Sequence, residues 1–147
     1  MTPELEIPAP LARQIEAEGV STFPNECCGI MIGRDMRDGD RVRRIVDRLV
    51  PMPNAFDPVE QYHRFTVDPA AQIRAEKEAD AEGKLVLGYY HSHPNAPARP
   101  SEYDRQHAWP FYSYVIVSIQ KGEPVDMTSW VLDDATETFQ RQNIREI

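Results

Sequence analysis

Apolar and polar positions along this chain fall into blocks with distinct periods, and the blocks predict most of its elements. Across residues 8–20, "PAPLARQIEAEGV", Leu11, Ala12 and Ile15 share one face at helical spacing, and Gly19 sits where a helix would stop. "CCGIMIG" (27–33) is a short apolar run closed by glycine, which suits a buried strand. Asp38-Gly39 marks a tight turn, and "RVRRIVDRLV" (41–50) predicts a second strand pairing back on the first. "PMPNAFDPVEQYHRF" (51–65) is proline-rich and has no period; a loop that long is either functional or well tied down. A brief strand is predicted at "FTVDP" (65–69). The clearest helix runs over 68–84, with Asp68 as N-cap, Pro69 in the first turn and Gly83 beyond the end. "LVLGYYHSH" (85–93) reads as a strand buried on both faces. "SEYDRQHAW" (101–109) starts a short helix with Ser101 at the cap and Asp104 three residues on. "YSYVIVSIQKG" (112–122) and "VDMTSWVLDD" (125–134) are further strands, and the tail 138–147 is a last strand or a frayed end. Mixed strands and helices without an internal repeat predict an α/β sandwich around a mixed β-sheet.

Composition narrows the class without changing that picture. A length of 147 residues fits a single domain over 1–147 with a real core. The formal net charge of −8 disfavours a nucleic-acid partner, which needs clustered Lys and Arg. The short basic run Arg41, Arg43, Arg44 is interleaved with Val42, Ile45 and Val46, so it reads as a strand with a solvated face. The two cysteines, Cys27 and Cys28, are adjacent, which makes an ordinary disulfide between them geometrically unfavourable. No signal-peptide pattern opens the chain, and no run reaches the ~18 apolar residues of a membrane span. A cytoplasmic protein without a membrane partner is the expectation.

The chemistry concentrates in "GYYHSHPNAPARPSEYD" (88–104). Strand residues two apart share a face, so His91 and His93 project side by side. Pro94 ends the pairing, and a helix starting near Ser101 brings Asp104 back to the same point. Two imidazoles and a carboxylate make a three-ligand set for one zinc ion, with a fourth position open for water. Zinc lowers the pKa of such a water to about 7. Glu26, just before a buried strand, is the candidate proton carrier, and Ser101 the candidate hydrogen-bond donor to the oxyanion.

This pattern resembles the JAMM (MPN-plus) signature: His91, His93 and Pro94 as His-x-His-Pro, Ser101 and Asp104 as Ser-x-x-Asp, with Glu26 as the upstream acid. "NECCGIMIG" also resembles the family's first strand, and the similarity spans roughly residues 10–132. The resemblance implies a cytidine-deaminase-like α/β/α fold and a zinc metallopeptidase. Eukaryotic members cut isopeptide bonds to ubiquitin. Short bacterial members, nearer in length to this chain, trim residues or cysteine from the C-terminal diglycine of ubiquitin-like sulfur-carrier proteins. The implied activity is hydrolysis after that diglycine by a zinc-bound water assisted by Glu26.

The alternative is a non-catalytic MPN-type binding scaffold, which the complete ligand set argues against. A zinc deaminase would need His-x-Glu and Pro-Cys-x-x-Cys, and neither is here. Ser92 points to the opposite strand face and reads as structural. Cys27 and Cys28 read as small buried hydrophobes, and His107 as a helix-surface residue. His63 lies in the irregular segment, where substrate contact is open. Trp109, Phe111, Tyr112 and Tyr114 read as core packing beneath the site. A thin, extended diglycine tail binds by adding to a sheet edge, and "FTVD" with the loop before it is the expected edge. The leaving group, and whether the protein is a monomer or a homodimer, stay open.

Overall fold

The computed structural model describes residues 2–147. Eight strands and three α-helices follow the order β1 (Glu4–Ile7), α1 (Ala9–Thr22), β2 (Cys28–Asp38), β3 (Arg41–Met52), α2 (Pro69–Ala81), β4 (Leu85–Pro94), α3 (Glu102–His107), β5 (Ser113–Gln120), β6 (Glu123–Asp133), β7 (Thr138–Gln142) and β8 (Ile144–Glu146). All strands join one mixed sheet in the order β7-β6-β5-β4-β2-β3-β1-β8. β4 and β5 are parallel, as is β1 with β3 and β8; the other pairs are antiparallel.

Each face of the sheet buries one apolar cluster under a helix, giving the expected α/β/α layering. On one face, Ala12 and Ile15 of α1 pack against Leu5, Ile7, Leu87, Tyr90, Val115 and Val117. On the other, Ala75 and Ala79 of α2 pack against Ile30, Ile32, Val86 and Tyr89. Small alanines on α2 let the helix approach closely. No helix among the described residues is long and apolar enough to cross a membrane.

The first helix runs past Gly19, which is buried within it, to Thr22, and three further features differ from the sequence reading. Residues 4–7 form β1, a strand too short to carry a readable period. The C-terminal tail forms two strands, β7 and β8, at opposite ends of the sheet order with only Asn143 between them. The sheet therefore curls until its edges adjoin, where Leu5 N–H donates to Asn143 O (2.9 Å) and Gln142 Nε2 donates to Pro3 O (2.7 Å). Finally, the strand expected at 65–69 does not form. Its backbone is satisfied instead by the preceding loop: Thr66 N–H donates to Asn54 Oδ1 (3.3 Å) and Thr66 O accepts from Ala55 N–H (3.0 Å).

A bulge in β4 decides where its histidines point. Met31 pairs with Gly88 but Ile32 with Val86, so Leu87 is the extra residue. Before it, Val86 joins the α2-side cluster and Leu87 the α1-side cluster; after it, Tyr89 faces α2 and Tyr90 faces α1. Unbroken alternation would have placed Tyr89, His91 and His93 on the α1 side, inside a dry core. A Cβ at Gly88 would lie 1.8 Å from Ser113 O, so only glycine fits this close approach to β5.

Candidate metal centre

β4 delivers His91 and His93 to the α2–α3 face, and α3 delivers Asp104 from its first turn. His91 Nε2 lies 3.1 Å from His93 Nε2 and 3.3 Å from Asp104 Oδ2, and His93 Nε2 lies 3.1 Å from the same oxygen. Zinc with donors about 2.0–2.1 Å away would need tetrahedral edges of about 3.3 Å. The triangle has that size, and its chemistry of two imidazole nitrogens and one carboxylate oxygen fits the ion.

Each donor is oriented by a further contact. His93 Nδ1–H donates to Pro97 O (2.9 Å), which leaves Nε2 as the free lone pair. The Phe65 ring stacks on His91, centroids 4.5 Å apart. Asp104 Oδ2 accepts from Ser101 N–H (2.9 Å) while Ser101 Oγ accepts from Asp104 N–H (3.0 Å), a reciprocal capping box that fixes both residues. Burial lowers the His91 pKa, with Asp104 pulling the other way, so the imidazole tends to its neutral, ligating form. Burial by itself would raise the Asp104 carboxyl, but His91 and His93 hold it well below the usual carboxylate range.

Glu26 is only 3% exposed, and its Oε1 has no hydrogen-bond partner. Burial, with Asp104 nearby, pushes its pKa up to about 9. An orphaned buried carboxyl is costly to fold, and this one shares a cavity wall with His93 and Ser101. The Ser101 hydroxyl uses its oxygen for the cap and keeps its proton free to donate.

The remaining candidates separate clearly. Ser92 is buried on the α1 side and accepts from Cys27 N–H (2.8 Å), a structural contact. Burial pushes Cys27 up to about 11 and Cys28 up to about 12, so neither is a thiolate near neutral pH. His107 is exposed, donates from Nδ1 to Tyr103 O (2.8 Å) and stacks on the Tyr103 ring. His63 pairs with Glu60 at 2.7 Å on the rim of the Glu26 cavity. The aromatic run is not all core: Trp109 is 69% and Phe111 49% exposed, whereas Tyr114 is buried and its hydroxyl accepts from Trp109 N–H.

Sequence reading missed the residues that hold the long loop. Asn54 donates to Glu26 O (3.2 Å) and Arg64 O (3.0 Å) and accepts from Phe56 N–H (3.1 Å). Gln61 donates to Asn54 O and Phe56 O, and Gln61 O accepts from Glu26 N–H (2.8 Å). The loop is thus stitched to both sides of Glu26. An Asn within a proline-rich stretch was the one available signal, and it does not specify partners that far away.

The family model described as prokaryotic homologs of the JAB domain matches residues 8–133. The chain belongs to that family. Among its relatives, a "Probable TtuB-protein conjugate cleaving protease" of Thermus thermophilus is 34% identical over 113 residues, covering 76% of this chain and 68% of the relative. A "CysO-cysteine peptidase" of Mycobacterium tuberculosis is 27% identical over 143 residues, covering 97% of this chain and 92% of the relative. A solution structure of a protein from Desulfitobacterium hafniense superposes with a TM-score of 0.79 at 32% identity, over 97% of this chain and 92% of that one. The JAB match spans α1 through β6 and so contains Glu26, the two histidines, Ser101 and Asp104.

Proposed function

We propose that this JAB-family chain is a zinc-dependent peptidase or isopeptidase that hydrolyses the bond after the C-terminal diglycine of a ubiquitin-like sulfur-carrier protein. The convergence of His91, His93 and Asp104 beside an unpartnered buried Glu26 carries the reading. The names of the relatives support a protein-conjugate substrate: one is a protease that cleaves TtuB-protein conjugates, the other a CysO-cysteine peptidase.

His91 Nε2, His93 Nε2 and Asp104 Oδ2 would hold the ion. Bound there, zinc polarises a carbonyl and makes hydroxide available near neutral pH. Glu26 accepts the proton released by the attacking water and delivers it to the nitrogen as the C–N bond breaks. The carbon side leaves as a carboxylate and the nitrogen side as an amine. Burial and Asp104 raise the Glu26 pKa without metal; a cation held by the triad would lower it, so that the carboxylate can take a proton and the carboxyl return it near neutral pH. Ser101 Oγ–H donates to the carbonyl oxygen as negative charge develops there. Asp104, tied to Ser101 by the capping box, keeps hydroxyl and ligand in one fixed relation.

The test is zinc removal and readdition with a carrier extended beyond its diglycine, read by intact mass. Cleavage should stop with chelator and return with zinc. Glu26→Gln should keep stoichiometric zinc by elemental analysis and lose about 100- to 10,000-fold in kcat. A protein purified without chelator that takes up no zinc would restore the binding-scaffold reading, and a Glu26→Gln enzyme within tenfold of wild type would end the proposed relay.

A further inference from the structure

The cavity that holds Glu26 also holds a cation. Its volume is about 490 Å³, and Arg99 lines it together with Glu26, His63, His93 and Ser101. Among the described residues, no hydrogen bond or ion pair engages the Arg99 guanidinium. Of the two imidazoles on the wall, His63 already faces Glu60 at 2.7 Å and His93 belongs to the triad. In a chain of net charge −8, an unpaired arginine beside the reaction centre is a poor general anion trap but a usable local one.

The loop that presents Arg99 is held along its length. Asn95 Oδ1 accepts from Lys121 N–H (2.9 Å), Ala96 O from Ser118 Oγ, Pro97 O from His93 Nδ1 (2.9 Å), and Ala98 O from Thr128 Oγ1. Ala98 is 3% exposed, whereas Arg99 is exposed to the cavity. Pro97 and Pro100 stiffen the backbone further. One of these bonds is made by a residue of the triad, so Arg99 is anchored to the site itself.

We infer that Arg99 binds the α-carboxylate of the departing residue, and that the chain favours bonds whose leaving group is a free amino acid or short peptide acid over isopeptide bonds to lysine. The inference rests on the peptidase reading above and adds the class of leaving group, on which the two relatives' names point different ways. In an amino-acid leaving group the carboxylate is two bonds from the nitrogen that Glu26 protonates. Both groups then fall within the one cavity that Glu26 and Arg99 share. A lysine side-chain nitrogen is followed by a methylene chain with no charge near it, and Arg99 stays unpaired. A guanidinium matches a carboxylate bidentately, so the discrimination is of acid against neutral.

Two measurements test this. A carrier ending in diglycine followed by one alanine is compared with the same carrier ending in alaninamide, using zinc-loaded enzyme. The acid should be cleaved with about tenfold higher kcat/KM. Arg99→Gln should abolish that preference and Arg99→Lys retain part of it. Equal rates for acid and amide, or a preference that survives in Arg99→Gln, would overturn the inference while leaving the peptidase reading intact. If neither substrate is cleaved, the peptidase reading fails, and binding decides the role of Arg99 separately. L-Alanine should then shift the Arg99 Nε–H resonance of the protein and L-alaninamide should not. No shift with either compound would overturn it.

Discussion

Two cavities meet at the histidine pair, and they differ in the side chains they bring to it. One, of about 210 Å³, is walled by Phe65, Val67, Tyr89, Trp109, Tyr114 and Phe139, with His91 and Asp104 at its edge. The other carries Glu26, His63, His93, Arg99 and Ser101. Pro100 lines both. Hydrolysis of an amide has the same two-sidedness. The carbon side of the bond brings a chain that must be gripped, and the nitrogen side needs a proton. The aromatic cavity offers ring faces, and its His107 is bonded to Tyr103 O; the polar one offers both acid and donor. On the proposed reading, the tail of the carrier lies along the first and the departing amine leaves through the second. That reading puts the grip on the tail on one wall and the proton transfer on the other, so each can be perturbed by itself.

The polar wall is tested most severely at Ser101, which serves both as N-cap and as proposed donor. Ser101→Gly keeps a tolerable cap, costing only a few tenths of a kcal/mol in helix stability, but removes the hydroxyl. Its kcat should fall about 100- to 1000-fold with zinc affinity nearly unchanged. Ser101→Ala should lose the same activity and in addition about 1 kcal/mol of stability by thermal denaturation. A Ser101→Gly enzyme of normal turnover would reduce Ser101 to its capping role.

Glu26 gives the next effect, in stability rather than rate. Its pKa in the folded chain is about 9, raised by burial and then by Asp104, against an ordinary value of 4.5. For an acid shifted upward, the unfolded chain releases its proton first. The metal-free fold is therefore unpenalised below about pH 4.5 and loses stability as pH rises towards 9. Glu26→Gln removes that loss. The metal-free variant should match wild type near pH 4 and exceed it by about 3–5 kcal/mol near pH 8 in denaturant unfolding. A constant difference across that range would mean that Glu26 is not held as a desolvated carboxyl.

How much of this was legible in the sequence follows from the range of each interaction. β4, α2 and α3 were readable because their signals are local: an apolar run, an Asp-Pro start, a Ser-x-x-Asp cap. The residues of the triad and the two polar groups beside it were legible through the spacing of His91, His93, Ser101 and Asp104. What the sequence hid is long-range. The Leu87 bulge depends on backbone contact with Ser113; the glycine in "LVLGYY" signals a bulge or close approach, but not its partner or the face to which the histidines turn. β8 exists only because the sheet curls to meet it. The expected strand at 65–69 failed for the same reason in reverse: Thr66 and Val67 favour extended backbone, but Asn54, twelve residues earlier, takes the hydrogen bonds a neighbouring strand would need.

That failure sharpens the last and smallest prediction, on the aromatic wall. Thr66 is already bonded to the loop, so pairing with a carrier tail would have to use other backbone groups of this segment. It also offers side chain: Phe65 on the His91 ring, and Val67 beside it in the cavity. Phe65→Ala should then act in two separable ways. Loss of apolar contact with the tail should raise KM for a folded carrier by about 2- to 10-fold, the worth of one aromatic contact. Loss of the stack frees the His91 ring, whose Nδ1 has no partner to hold it, and zinc affinity should fall. Phe65→Leu restores apolar area without the flat face, so it should recover KM more fully than zinc affinity. If KM is unchanged in Phe65→Ala while zinc binding weakens, the aromatic cavity supports the triad and does not grip the substrate. The functional division between the two cavities would then lie within the polar one, between the Glu26 carboxyl and the Arg99 guanidinium.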